Sequence, residues 1–211
     1  MDRTGNDGTN DHAEVLHLMR IPWCAKHLKR TADVDDDDDD GDDDHPKAPL
    51  VVQVHANRTV LPTKENQLVG DTLNTAATIA AWVHVYPRPC ARLGFRIRHF
   101  VSLIALEDGM MGFPGSLHGG AASLLVDEVT GMHIASQRDP KEPLNKDFRT
   151  AYLKTEYLKP VPVPGTVLVR SEIERVEGRK HWIRATIEDG SGEVLAKGEV
   201  LYIALKTTWK L

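Results

Sequence analysis

From Leu93 the chain alternates apolar and polar positions: Leu93, Phe95, Ile97, Val101, Leu103 and Ala105 are interleaved with Arg92, Arg96, Arg98 and Ser102. A period of two sends successive side chains to opposite faces, so the stretch is predicted as a half-buried strand. The rhythm then changes. Asp108 to Leu117 contains Gly109, Gly112, Pro114 and Gly115 and reads as a turn-rich connection. Beyond it, Ala121 to Ala135 carries Leu124, Leu125, Val126, Val129, Met132 and Ile134 nearly all round a helical wheel, the mark of a buried helix. After Pro140 to Pro143, four strands are predicted, at 148–159, 166–176, 181–188 and 193–205. Pro160 to Gly165, Glu177-Gly178 and Asp189-Gly190-Ser191-Gly192 divide them. A strand, a loop, a buried helix and a four-strand antiparallel meander predict an α+β protein whose single sheet wraps around one long central helix.

The N-terminal part is less regular. Leu73, Ala76, Ala77, Ala80 and Val83 recur at helical spacing from Asp71, a candidate N-cap, to Tyr86-Pro87, predicting one amphipathic helix. Pro49 to Leu61 is apolar and strand-like, with no place assigned to it. Residues 1–46 end in the acidic run Asp33 to His45, whose like charges repel and whose apolar content does not offset ordering entropy, so disorder is expected. The spacing of the run is not that of a calcium loop. The expected organisation is a disordered segment (1–46), an N-terminal helical extension (47–90) and a core domain (91–206).

Composition changes this picture in three places. The acidic run holds ten of the acids, so the net charge of −5 becomes +5 without it. A mildly basic folded part suits an anionic substrate but carries no clustered basic and aromatic stripe of the kind nucleic acid requires. The two cysteines, Cys24 and Cys90, suggest neither a disulfide framework nor a paired metal site, and a reducing, cytoplasmic setting is expected. No run approaches the ~20 apolar residues of a membrane span.

Candidate chemistry gathers on the buried helix. Asp127 stands in mid-helix, where an ionised carboxylate is costly unless paired or used. Ser123, Asp127 and Thr130, at i, i+4 and i+7, make a polar stripe with it, while Glu128 points about 100° away and reads as structural. Gly119-Gly120 open the helix, where unpaired N–H groups and the positive dipole end favour a developing oxyanion. His118 is read as a structural hydrogen-bonding residue of this centre, with base and zinc ligand as its alternatives; no second histidine or cysteine stands at metal-ligand spacing. No metal and no cofactor are expected. Eight residues separate Gly119 from Asp127, about 12 Å along a helix, too far to serve one carbonyl. Two composite sites across a two-fold axis of a homodimer are therefore expected, with dimers of dimers open.

His-Gly-Gly-x6-Asp after a glycine-rich loop, the strand Thr150…Tyr157-Leu158-Lys159-Pro160, Gly178-Arg179 and the Asp189-Gly190 hairpin together resemble the hotdog-fold acyl-CoA thioesterase superfamily over about Leu93 to Leu205. Gly112-Phe113-Pro114-Gly115, with a helix upstream, looks most like fungal members, some of which accompany polyketide biosynthesis. The resemblance implies hydrolysis of an acyl-CoA or acyl-carrier-protein thioester, with the Gly119 amide polarising the carbonyl and Asp127 as nucleophile or base. It further implies that Thr150 positions water. Arg179 and Lys180 are candidates for the CoA phosphates, and Gly120, Ser123 and Thr130 for lining the substrate site. Where relatives commonly carry a loop asparagine this chain has Met110-Met111-Gly112, which puts Met111 at the substrate and keeps a non-catalytic acyl-thioester-binding or scaffold protein open as an alternative. A hotdog dehydratase or hydratase is the other, and it would need a His and acid pairing that is not seen.

Overall fold

The computed structural model describes residues 8–29, 50–89, 97–137 and 148–205. Its centre is a helix, α3 (Gly119–Ala135), lying in a curled seven-stranded antiparallel sheet. Strands β1 (Leu50–Val54), β2 (Ile79–Pro87), β3 (His99–Leu106), β6 (Phe148–Tyr157), β7 (Gly165–Glu177), β8 (Lys180–Glu188) and β9 (Val194–Ala204) are ordered β1-β2-β3-β7-β8-β9-β6. A small hairpin, β4 (Met111–Phe113) with β5 (Ser116–Leu117), leads into α3. This is the hotdog arrangement expected from the sequence.

Leu125, Val126, Val129 and Ile134 of α3 pack on Trp82, Phe100, Ile104, Val169, Ile183 and Val200 of the sheet. Gly198 permits this approach, since a Cβ there would collide with Val126. Two further helices, α1 (Gly8–Met19) and α2 (Pro22–Lys29), cover part of the opposite face. Leu18, Cys24 and Leu28 are buried there on Ala81, Val83, Val85, Leu103 and Leu168.

Three expectations are corrected. The helix expected from Asp71 to Tyr86 is a short helical turn, Leu68–Thr72, followed by strand β2. With α3 on one face and α1–α2 on the other, β2 is apolar on both, so the alternation that marks a half-buried strand is erased. The N-terminal helical extension comes instead from residues 8–29, within the segment expected to be disordered; the acidic run 33–44 lies outside the described residues. The last four strands are not a simple meander. β6 pairs with β9 at the sheet edge, and 158–164 carries the chain across so that β7 pairs with β3. Pro160, Pro162 and Pro164 deny that connection the donors of a regular ladder. Leu117 instead donates its N–H to the Val161 carbonyl. The strand expected from Leu93 begins at His99; 90–96 lie outside the described residues.

Candidate active site

β6 runs antiparallel beside α3 and borders its polar stripe from end to end. At the start of the helix the Tyr157 hydroxyl donates to the Gly119 carbonyl (2.9 Å) and meets the Ser123 hydroxyl (3.0 Å), which also meets Thr155 (2.9 Å). In mid-helix the Thr150 hydroxyl donates to Oδ1 of Asp127 (2.9 Å). The Tyr202 hydroxyl, from β9, donates to the Asp127 carbonyl (2.8 Å) and lies 3.2 Å from the same Oδ1. Both donors address Oδ1, which leaves Oδ2 as the oxygen available to a reacting group.

Tyr202 is buried, and burial pushes its phenol well above the ordinary range, so it is a neutral donor at working pH. Thr130 is fully buried behind Asp127, donating to the Val126 carbonyl and meeting Tyr202 (3.0 Å). It therefore supports Tyr202 rather than facing a ligand. Gly131 allows the phenol this close, with a Cβ position only 3.3 Å from its oxygen.

His118 is the N-cap of α3, and its Nδ1 accepts the N–H of Gly120 (3.0 Å). The cap consumes the Gly120 donor. Gly119, the first helical residue, has no intrahelical acceptor for its own N–H; the Ala121 N–H lacks one too, since the first intrahelical bond runs from Ala122 to His118. Gly112 backs the cap, because a Cβ there would lie 2.8 Å from His118 Cα. Met110 is buried and its carbonyl accepts the His118 N–H (2.9 Å), while Met111 is half-buried against the core. Phe113, at the tip of this hairpin, is 78% exposed.

Arg179 and Lys180 lie at the β7–β8 turn, at the same end of the sheet as Thr150. One Arg179 nitrogen is engaged by the Ala204 carbonyl (2.9 Å). The sequence reading missed Tyr202, Tyr157 and Thr155 as parts of this centre. Tyr202 sits in the inward-facing series Val200, Tyr202, Ala204, and a buried tyrosine usually seeks a partner for its O–H. That was the available signal.

Glu128, next to Asp127, has entirely different company. Its Oε2 accepts from Nδ2 of Asn57 (2.8 Å) and lies 3.1 Å from Nε2 of His55. His55 Nδ1 is 2.9 Å from Nε2 of His84, whose Nδ1 is 2.6 Å from the Ser102 hydroxyl. Burial lowers both imidazoles below the ordinary histidine value, so both are neutral. One set of tautomers then fits: Ser102 O–H donates to His84, His84 to His55, and His55 to the carboxylate. Burial pulls the Glu128 carboxyl upward, but the His55 and Asn57 hydrogen bonds and the His55 interaction outweigh it and hold it below its ordinary value.

A long helix cradled by a curled antiparallel sheet is the hotdog arrangement, here with an oriented acid in mid-helix and a helix N-terminus whose first amide has no intrahelical acceptor. Residues 114–196 match the family model described as Thioesterase superfamily, and the likeness to hotdog thioesterases read from the sequence is found by this comparison as well. The chain is 32% identical over 122 residues to acyl-coenzyme A thioesterase THEM4 of Rattus norvegicus, an alignment covering 54% of this chain and 50% of that protein. It is 29% identical over 141 residues to the uncharacterized mitochondrial membrane protein FMP10 of Saccharomyces cerevisiae, covering 67% of this chain and 52% of that one. The chain thus spans about half the length of the curated relatives it matches. Among solved structures, a hypothetical thioesterase from Streptococcus pneumoniae TIGR4, crystallised with coenzyme A, is similar over 52% of this chain and 80% of its own, with 19% identity and a TM-score of 0.46. Among the described residues, no helix is long and apolar enough to cross a membrane.

Proposed function

We propose that the protein hydrolyses acyl thioesters, with acyl-CoA as the first substrate class to test, and that it works as a homodimer. The observation that carries this reading is the fixing of Asp127 Oδ1 by Thr150 and Tyr202 on the same helix whose first amide, at Gly119, is free of an intrahelical acceptor. Asp127 Oδ2 takes a proton from water as the water oxygen attacks the thioester carbonyl. The Gly119 N–H meets the oxyanion, an interaction of the kind worth about 3 kcal/mol of barrier. Collapse of the tetrahedral intermediate breaks the carbon–sulfur bond, and the departing thiolate regains the proton, giving free acid and thiol. Thr150 holds the base in this scheme, where the resemblance implied that it holds the water.

The dimer reading has a structural support. β6 is the edge strand of the sheet and most of its residues are exposed. Antiparallel pairing of two such edges about an axis at Lys154, with the β6 bulge between Thr150 and Tyr152 present in each copy, sets Thr150 of one copy opposite Tyr157 of the other. Asp127 of one subunit would then face Gly119 of its neighbour, as the helix rise requires. Cys24 is a buried free thiol, which burial pushes up to about 12, so it is an inert packing residue.

The test is thiol release from short, long and aromatic acyl-CoAs and from acyl-carrier-protein thioesters, measured for the wild type and Asp127→Asn. Turnover in the wild type and its loss in the variant are expected. Binding of every thioester without thiol release would favour the non-catalytic binding alternative and end this proposal.

A further inference from the structure

The polar network around Glu128 does not stop at the face of the sheet that carries α3. His55 and Asn57 grip Glu128 from the turn that follows β1, and Arg58 belongs to the same turn, Ala56–Arg58. Arg58 faces the other way. Its Nε donates to Oε1 of Glu14 on α1 (2.7 Å), and Nη2 donates to the Ile79 carbonyl (3.0 Å). Oε2 of Glu14 accepts the backbone N–H of Trp82 (2.7 Å), and the Trp82 ring stacks on His55 at 4.1 Å between centroids. Side chains of the Glu14–Arg58 pair are each 5% exposed, so the pair is almost fully removed from water.

A buried ion pair is a poor source of net stability, because desolvation consumes most of the Coulomb gain. What such a pair supplies is direction, since its donors and acceptors tolerate little misalignment. Here the direction is passed on. One short turn wraps the edge of the sheet, holding α1 through Arg58 and α3 through His55 and Asn57.

We propose that α1 is a positioning element for the helix that bears Asp127: the Glu14–Arg58 pair, through the 55–58 turn and Glu128, fixes the rotation of α3 about its own axis. The inference rests on the thioesterase reading for its kinetic consequences. Asp127 and Glu128 are consecutive, so neither carboxylate moves around the helix without the other. At a side-chain radius of about 5–6 Å, a rotation of about 10° displaces a carboxylate by about 1 Å. Displacement on that scale is enough to cost a large factor in rate. Asp127 has no tether on this side of the helix; Glu128 has one, and its far end is on the opposite face of the sheet.

The experiment uses the full chain with Glu14→Ala, Glu128→Ala, their combination, and the conservative Glu14→Gln and Glu128→Gln. Steady-state thiol release is read together with the backbone amide NMR resonances of Asp127, Thr130 and Thr150. Each alanine variant is expected to lower kcat about tenfold while KM stays within about twofold, with the double variant no worse than either single. Glu128→Gln, which still accepts from Asn57 and His55, should recover most of kcat. Glu14→Ala should also shift the three amide resonances from across the sheet. Should it not fold, Glu14→Gln carries the same two readings with a smaller change. Unchanged kcat and unchanged resonances in a folded Glu14 variant would overturn the proposal, as would losses in kcat that simply multiply. If the wild type releases no thiol, the thioesterase reading fails by itself, and the resonance shifts alone then decide whether α1 orients α3.

Discussion

Asp127 and Glu128 are neighbours on one helix, yet they occupy opposite kinds of surroundings. Asp127 is half-buried and meets neutral hydroxyls, from Thr150 and Tyr202, on one oxygen. Glu128 ends a closed chain of Ser102, His84 and His55, with Asn57 beside it. Hydroxyl donors can release a carboxylate oxygen to a substrate or to water at little cost. A buried imidazole chain cannot, because losing its acceptor strands donors away from water. On the proposed function, the two carboxylates of one buried helix divide their work, Asp127 held for reaction and Glu128 for architecture, and partner type and exposure tell the two apart.

The contrast is broken most forcefully by exchanging charge for neutrality. Asp127→Asn should lower kcat by about 10²–10⁴-fold, the usual worth of a positioned general base. Its unfolding free energy should stay within about 1 kcal/mol of wild type by urea titration, because the amide still accepts from Thr150. Glu128→Ala should shift the balance the other way, losing about 1–3 kcal/mol of stability through the unpaired His55 and Asn57 donors with only about a tenfold fall in kcat. Similar stability losses in both variants would erase the distinction.

Acid provides the next test, because the buried histidines on the α3 side are held neutral. His133 donates from Nε2 to the Ile97 carbonyl (2.8 Å) and meets Ser171 through Nδ1 (2.8 Å), and burial lowers it from 6.5 to about 4. Above pH 6.5 the residue is neutral whether folded or not. As pH falls from 6.5 toward 4 the unfolded chain binds a proton that the folded one does not, so stability drops, by roughly 3 kcal/mol from this residue. Urea midpoints at pH 7 and pH 4.5 should show the loss, and His133→Gln should flatten the slope. An unchanged slope would mean that His133 titrates alike in the folded and unfolded chain.

Smaller effects follow from contact rather than charge. Gly198→Ala should cost about 1–3 kcal/mol by pushing α3 off the sheet at Val126. Tyr202→Phe should lower kcat about tenfold with a modest rise in mobility around Asp127, since Thr150 still holds Oδ1. If Tyr202→Phe leaves kcat untouched, the second donor to Oδ1 is dispensable.

Much of the C-terminal region was legible in the chain because its elements have one buried face each. Helix α3 and strands β6 to β9 lie within two residues of their expected bounds, and Ser123 and Asp127 do face β6, while Thr130 turns inward to Tyr202 of β9. The pairing of β6 with β9 was hidden, because periodicity marks a strand but not its neighbour. β2 was misread for a different reason: buried on both faces, it offers no alternation, and its alanines mimic helical spacing. In α1 and α2 the signal was drowned by the acidic run that follows. His55 and Glu128 are 73 residues apart, and nothing local in either announces the other. Tyr202 could be recognised as a core residue from its strand, but its role depends on Asp127 lying across from it in three dimensions.

The most direct test of the central claim, that one Asp127 carboxylate and one Gly119 amide act on the same thioester across a dimer, is complementation between two inactive variants. Gly119→Pro removes the N–H and keeps the backbone, since proline is well tolerated at the first helical position and His118 already has the extended conformation (φ −60°, ψ 131°) that a following proline demands; the Cβ it adds lies 3.4 Å from the Tyr157 ring, at ordinary contact distance. Its own turnover should fall by about 10²–10³-fold. Mixed by co-refolding with Asp127→Asn subunits, it should form heterodimers with one intact composite site and restore a substantial fraction of wild-type thiol release. Heterodimers as inactive as either parent would contradict the account.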